Sequence, residues 1–303
     1  MDRRDFIKAV AGGVLASLLP FDRARSFSLS ALAKSGETKL SVVKGTDTEL
    51  AVRKAVELVG GMKGFVSRGD VVFVKPNMSW DRIPAQAATT NPTVVATVVR
   101  MALEAGAKKV IVADNTCNDA RRSYIRSGIK DAAEKAGAKV VYMEERKFVK
   151  SDIGGEALKK WPVFKEVLEA DKLINIPIAK HHGLSGVTLS MKNLMGLIGG
   201  SRNRLHQELG TSIVDLTAFF KPTLTILDAV RILKANGPQG GNLNDVVMKN
   251  TIATSRDPVS IDAFGVTLFG KRPEDFPYLK TAVRRGLGSM DFKKEGFKEI
   301  QIG

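Results

Sequence analysis

Four short apolar runs in this sequence each end in side chains that carry a charge or an amide. The run 71–74 leads into Lys75, Pro76 and Asn77, 110–113 into Asp114 and Asn115, 173–178 into Lys180, His181 and His182, and 224–227 into Asp228. One such ending would be ordinary loop polarity; four point to a shared cleft holding both signs of charge. His181, Asp228 and Asp114 are the candidates for catalysis, because imidazole and carboxylate can pass protons near neutral pH. Lys75, Asn77, Lys180, Lys192, Asn193 and Arg202 are the candidates for holding an anionic substrate through ammonium, amide and guanidinium groups. A solvated, purely surface role is the alternative for Lys192 and Arg202.

All three histidines, His181, His182 and His206, fall within 26 residues. His181, His206 and Asp228 would supply two imidazoles and a carboxylate with a position left open, a set that suits divalent zinc, iron or nickel. Against this, the adjacent His181 and His182 do not readily reach one ion. His206 also opens a helix whose Leu209, Ile213, Leu216 and Phe220 form a buried stripe. Proton transfer by His181, or a structural role, are the alternatives to metal. Cys117 is the one cysteine, so an internal disulfide and an iron–sulfur cluster built from this chain's own thiolates are excluded. Its expected state is inert and partly buried, a cation-activated thiol being the other reading. The glycine pairs at 199–200 and 240–241 match neither a phosphate loop nor a dinucleotide fingerprint, and no G-x-S-x-G elbow occurs.

The elements that must position these groups follow from periodicity. Residues 92–105 and 121–136 each read as a helix closed by glycine, Gly106 and Gly137, before an apolar run. Ala-Gly-Ala-Lys recurs at 105–108 and 136–139, a spacing of 31 residues that matches one strand–helix–strand unit. Glycine fits there because a helix turning sharply into a buried strand ends in a left-handed residue. Asn91-Pro92 and Asp257-Pro258 are helix starts, with a side-chain acceptor at the cap and proline in the first turn. The strand runs lack alternation, as strands covered on both faces do. The expected fold is therefore α/β, a mainly parallel doubly wound sheet with helices on both faces, one domain over 34–303 with loop insertions. Residues 188–200 carry Met191, Leu194, Met195 and Ile198 at helical spacing, the methionines as core filler. Residues 257–270 and 272–285 read as helical, 236–244 as a loop and 300–302 as an edge strand.

The first eight residues, M-D-R-R-D-F-I-K, precede an apolar segment of twelve residues and the small-x-small triplet Ala31-Leu32-Ala33. This order resembles a twin-arginine export signal with Arg3 and Arg4 as its pair, cleaved after Ala33. Twelve residues fall short of the roughly 20 needed to span a bilayer as a helix, so no permanent membrane span is expected. The implied location is the periplasm, reached already folded through the twin-arginine machinery. The chain holds 47 basic and 32 acidic residues, a formal +15; cleavage would leave 42 and 29, or +13. Away from chromosomal DNA, that charge serves solubility, attraction to anionic envelope surfaces or the capture of anionic small molecules rather than nucleic acid.

Several motifs together resemble the family called domain of unknown function 362, whose members are often labelled uncharacterised iron–sulfur centre proteins. They are Val74-Lys75-Pro76-Asn77, Thr90-Asn91-Pro92, Ile174-Asn175-Ile176-Pro177 with Lys180 and His181, Lys192-Asn193 with Gly196, His206, Ile226-Leu227-Asp228, Gly237-Pro238 and Ser255-Arg256-Asp257-Pro258-Val259 with Asp262. The resemblance covers about residues 70–265 and implies an α/β domain in which the lysine, histidine and aspartate positions are shared. Some members append a cysteine-rich ferredoxin-like segment. This chain lacks those cysteines, which leaves an iron–sulfur protein as a partner only. The leading expectation is a periplasmic enzyme acting on an anionic small molecule, with a divalent metal where His181, His206 and Asp228 converge. A non-catalytic solute or metal carrier, or a redox accessory to an iron–sulfur partner, are the alternatives.

Overall fold

The computed structural model describes residues 38–294 and 296–303. The export signal expected in residues 1–33 lies outside the described residues. Strands β1 (Leu40–Lys44), β2 (Val71–Pro76), β3 (Lys109–Val112), β4 (Lys139–Val140), β5 (Phe148–Asp152), β6 (Lys160–Phe164), β7 (Lys172–Ile176), β8 (Ile178–His182), β9 (Gly186–Thr188), β10 (Leu224–Leu233), β11 (Val246–Ser255) and β12 (Phe297–Gln301) carry the fold. Ten of them form one sheet in the order β12-β1-β11-β10-β7-β2-β3-β4, extended by β8 on β10 and β9 on β8. Strands β7, β2, β3 and β4 pair in parallel, as do β10 with β7 and β8, and β1 with β12; β11 runs antiparallel to both its neighbours. The fold is thus the expected α/β architecture around a mainly parallel sheet. Strands β5 and β6 form a separate hairpin.

Alternation along the strands sorts the core into two layers. Val72, Val74, Val110, Val112, Ile174 and Ile226 face the helices Thr48–Leu58, Pro92–Glu104 and Ile129–Lys135. Phe73, Ile111, Leu173 and Leu227 face the opposite layer, which includes Leu209–Phe220, Pro258–Thr267 and Pro277–Arg284. Both faces are covered, which is why these strands read as continuous apolar runs.

The cap chemistry holds at named atoms. Asn91 Oδ1 accepts from Thr93 N at 3.0 Å, and Asp257 Oδ1 from Val259 N at 2.7 Å and Ser260 N at 2.9 Å. Gly106 and Gly137 adopt φ of 104° and 99°. Three elements differ from the sequence expectation. The helix expected over 121–136 is two helices, Ala120–Arg126 and Ile129–Lys135, separated at Gly128 with φ 71°. The run 173–178 breaks at Pro177, which has no N–H for the ladder, into β7 and β8. Residues 188–200 hold only a short helix, Ser190–Asn193, followed by a 3₁₀ turn Leu194–Leu197.

Candidate functional site

A cavity of about 460 Å³ opens where the ends of β2 and β8 meet the helix Ser190–Asn193. This is the edge of a parallel sheet at which ligands bind, because the connections diverge there. Six of the side chains singled out from sequence for anion binding, Lys75, Asn77, Lys180, Lys192, Asn193 and Arg202, line it together with His206. No aspartate or glutamate is among its lining residues.

The lysines are held in three different ways. Lys75 Nζ has three acceptors, Pro76 O at 2.7 Å, Asn193 Oδ1 at 3.0 Å and Asp114 Oδ1 at 2.8 Å, one for each ammonium hydrogen. Burial pulls Lys75 below the usual lysine range, and the neighbouring Asp114 pulls it part of the way back. Asp114 lies behind Lys75 rather than on the cavity wall, its Oδ2 accepting from Met78 N at 2.6 Å. Lys180 Nζ has two neutral acceptors, Ala88 O at 2.6 Å and Asn77 Oδ1 at 3.1 Å. Burial brings it down to about 7. Two acceptors match the two hydrogens of a neutral amine and leave its lone pair free. Among the described residues Lys192 Nζ reaches only Met195 Sδ, at 3.6 Å. Burial, with the nearby charges of Arg202 and Lys75, brings it down to about 8.

Amides lock this arrangement. Asn193 Oδ1 accepts from Asn77 Nδ2 at 2.9 Å, and Asn193 Nδ2 donates to Asn175 Oδ1 at 2.8 Å. Asn77 therefore presents its oxygen to Lys180. The short helix carrying Lys192 and Asn193 is anchored by Asp262, which accepts from Ser190 N at 2.7 Å and Met191 N at 3.3 Å. Gly196 sits against the Lys75–Asp114 pair. A Cβ there would overlap Asp114 Oδ1 and meet Lys75 Nζ at 2.7 Å, so the pair needs glycine for its close approach. Arg202 is fixed by Asn115 O and Thr116 O, each at 2.7 Å. Among the described residues no carboxylate pairs with it.

Other candidates fall elsewhere. Asp228 shares strand parity with Ile226 and Val230, on the face of the sheet opposite Phe73 and Lys75. Its carboxylate accepts from Asn91 N at 2.7 Å and Val230 N at 3.1 Å, which ties the loop before Pro92–Glu104 to β10. His181 is not among the residues that line the cavity, and its Nδ1 accepts from Gly237 N at 3.1 Å. Among the described residues no three histidine, cysteine, aspartate or glutamate side chains come together as metal ligands. His181, His206 and Asp228 are therefore not brought to one point, strand alternation having sent two of them to different surfaces.

His182 takes the place expected for His181. On β8 it lies two residues from Lys180, so the two share a side; that spacing was readable once the strand was extended past Pro177. Its Nδ1 accepts from Leu184 N at 3.1 Å and Ser185 N at 3.3 Å, leaving the proton on Nε2 as a donor. Burial, then the charges of Lys192 and Lys180, bring it down to about 3, so it stays neutral. Cys117, expected to be partly buried, is exposed and lines the cavity with Trp80, Met195 and Pro238.

The chain matches the family described as Domain of unknown function (DUF362) over residues 72–267. It belongs to that family. The thylakoid-associated protein sll1697 of Synechocystis sp. is 27% identical over 245 residues, 78% of this chain and 74% of that protein. Among solved structures, the lactate racemase apoprotein of Thermoanaerobacterium thermosaccharolyticum is 13% identical with a TM-score of 0.44, over 77% of this chain and 57% of that one. A Thermotoga maritima protein is 12% identical with a TM-score of 0.40, over 80% of this chain and 60% of that one. The chain spans about six-tenths of the length of these solved structures.

Proposed function

We propose that this cavity binds an anionic small molecule and acts on it, with Lys192 and Arg202 holding the anion, His182 donating from Nε2 and Lys180 moving protons. One observation carries the reading: three lysines and an arginine line the cavity with no aspartate or glutamate beside them, and Asp114, behind the wall, is engaged by Lys75. Uncompensated cations in a partly apolar recess are costly until an anion arrives, and they then bind it strongly. A divalent cation would meet lysines instead of carboxylates there, so these donors favour the anion over the metal. The volume suits a metabolite-sized ligand. An amine near neutrality in its pKa is matched to general base work on such a ligand. The export signal read in the first 33 residues would place this chemistry in the periplasm.

Thermal shift against a panel of mono- and dicarboxylates, phosphate and sulfate, followed by calorimetry on the best binder, tests the reading. Lys192→Met should weaken binding by about tenfold or more, the cost of one charge-assisted hydrogen bond. Turnover of a bound compound separates an enzyme from a carrier. If no anion raises the melting temperature, or Lys192→Met binds as tightly as the parent, the reading is wrong.

A further inference from the structure

Two lysines in one cavity with different hydrogen-bond environments invite different jobs. Lys180, when neutral, has both amine hydrogens engaged by Asn77 Oδ1 and Ala88 O, which leaves its lone pair available as a base. Lys192 is not restrained in that way. Its one hydrogen-bond partner among the described residues is a thioether sulfur, a weak acceptor, and Met195 is itself part of the cavity wall. Its amine therefore faces the cavity with hydrogens and lone pair both available. Burial and two neighbouring cations keep a usable fraction of it unprotonated near neutral pH. A desolvated lysine beside another cationic group is the arrangement that makes an amine nucleophilic towards carbonyl carbon.

We infer that Lys192 forms a Schiff base with a ligand that carries a ketone or aldehyde next to its anionic group, such as a 2-oxo acid. The inference rests on the anion-binding reading and narrows its substrate class. Lys192 Nζ adds to the carbonyl carbon, forming the C–N bond, while the carbonyl π pair moves to oxygen. The two amine hydrogens leave with that oxygen as water, and the product is an imine, with no net oxidation or reduction. Arg202, held rigid by Asn115 O and Thr116 O, is placed to hold the ligand's carboxylate. Lys180 is placed to take and return protons during addition and loss of water.

The full-length protein is incubated with substoichiometric pyruvate or glyoxylate and reduced with cyanoborohydride, then mapped by peptide mass spectrometry. In parallel, binding of succinate, an anion without a reactive carbonyl, is measured by calorimetry. The expected result is a reduced adduct concentrated on Lys192, suppressed by excess succinate and lost in Lys192→Arg, whose melting temperature reports that it folds. Lys180→Met should keep the adduct site but slow its formation. Succinate binding without an adduct, or adducts spread over surface lysines, overturns the Schiff base and leaves the anion site standing. Absence of both adduct and succinate binding removes the two together.

Discussion

Counting hydrogens against acceptors separates lysines that their sequence contexts do not. Lys75 and Lys180 each end an apolar run, yet the first meets three acceptors, one of them charged, and the second two neutral oxygens. The difference has a pH consequence with a definite sign. Unfolded, Lys180 keeps its proton up to about 10.5; folded, burial brings that down to about 7. Between those values the unfolded chain binds more protons, so the contribution of Lys180 to stability rises with pH, and its burial penalty is complete below about 7. Lys180→Met removes the penalty. Its unfolding free energy relative to the parent should therefore fall by roughly 2 to 3 kcal/mol between pH 7 and pH 9. Urea denaturation at the two pH values measures this. A pH-independent difference would mean that Lys180 titrates as an ordinary lysine and is charged in the fold.

At the scale of elements, continuity and alternation explain what the sequence disclosed. The strand cores at 71–74, 110–113 and 224–227 were legible because both sheet faces are buried, and the caps at Asn91 and Asp257 because their side-chain chemistry is local. The side on which a terminal charge emerges was not legible, since it depends on where each strand begins and on the interruption at Pro177. Hence His182 rather than His181 is among the residues lining the cavity. Strand β11 alternates too little at its exposed start to announce itself, and it is placed by pairing with β10 and β1. Asp228 shows the same ambiguity with a testable outcome. Burial raises it to about 6 against the pull of the Asn91 and Val230 amides. Asp228→Ala strands both N–H groups and should cost about 2–4 kcal/mol in chemical denaturation. Anion affinity of the folded fraction should be unchanged, because Asp228 is not among the residues that line the cavity. Lost affinity with stability intact would put Asp228 back in the site.

For the whole molecule, the order of strands ties the two ends of the described chain together. Strand β1 lies between β11 and β12, pairing Leu40 with both Ser255 and Phe297, and Ile302 N donates to Lys44 O at 2.8 Å. The sheet therefore cannot close at that edge until nearly all of the chain has been made, and such long-range pairing forms slowly. On the export reading proposed above, Arg3-Arg4 ahead of an apolar segment would address the chain to a pathway that carries proteins already folded. Replacing both with lysine (Arg3→Lys with Arg4→Lys) should retain the protein in the cytoplasm as a protease-resistant, full-length fold. Cell fractionation with immunoblotting, combined with limited proteolysis of each fraction, reads both properties. Export that continues undiminished in the double variant, or a retained form that is readily degraded, would separate the topology from the route and leave the N-terminal arginines without that role.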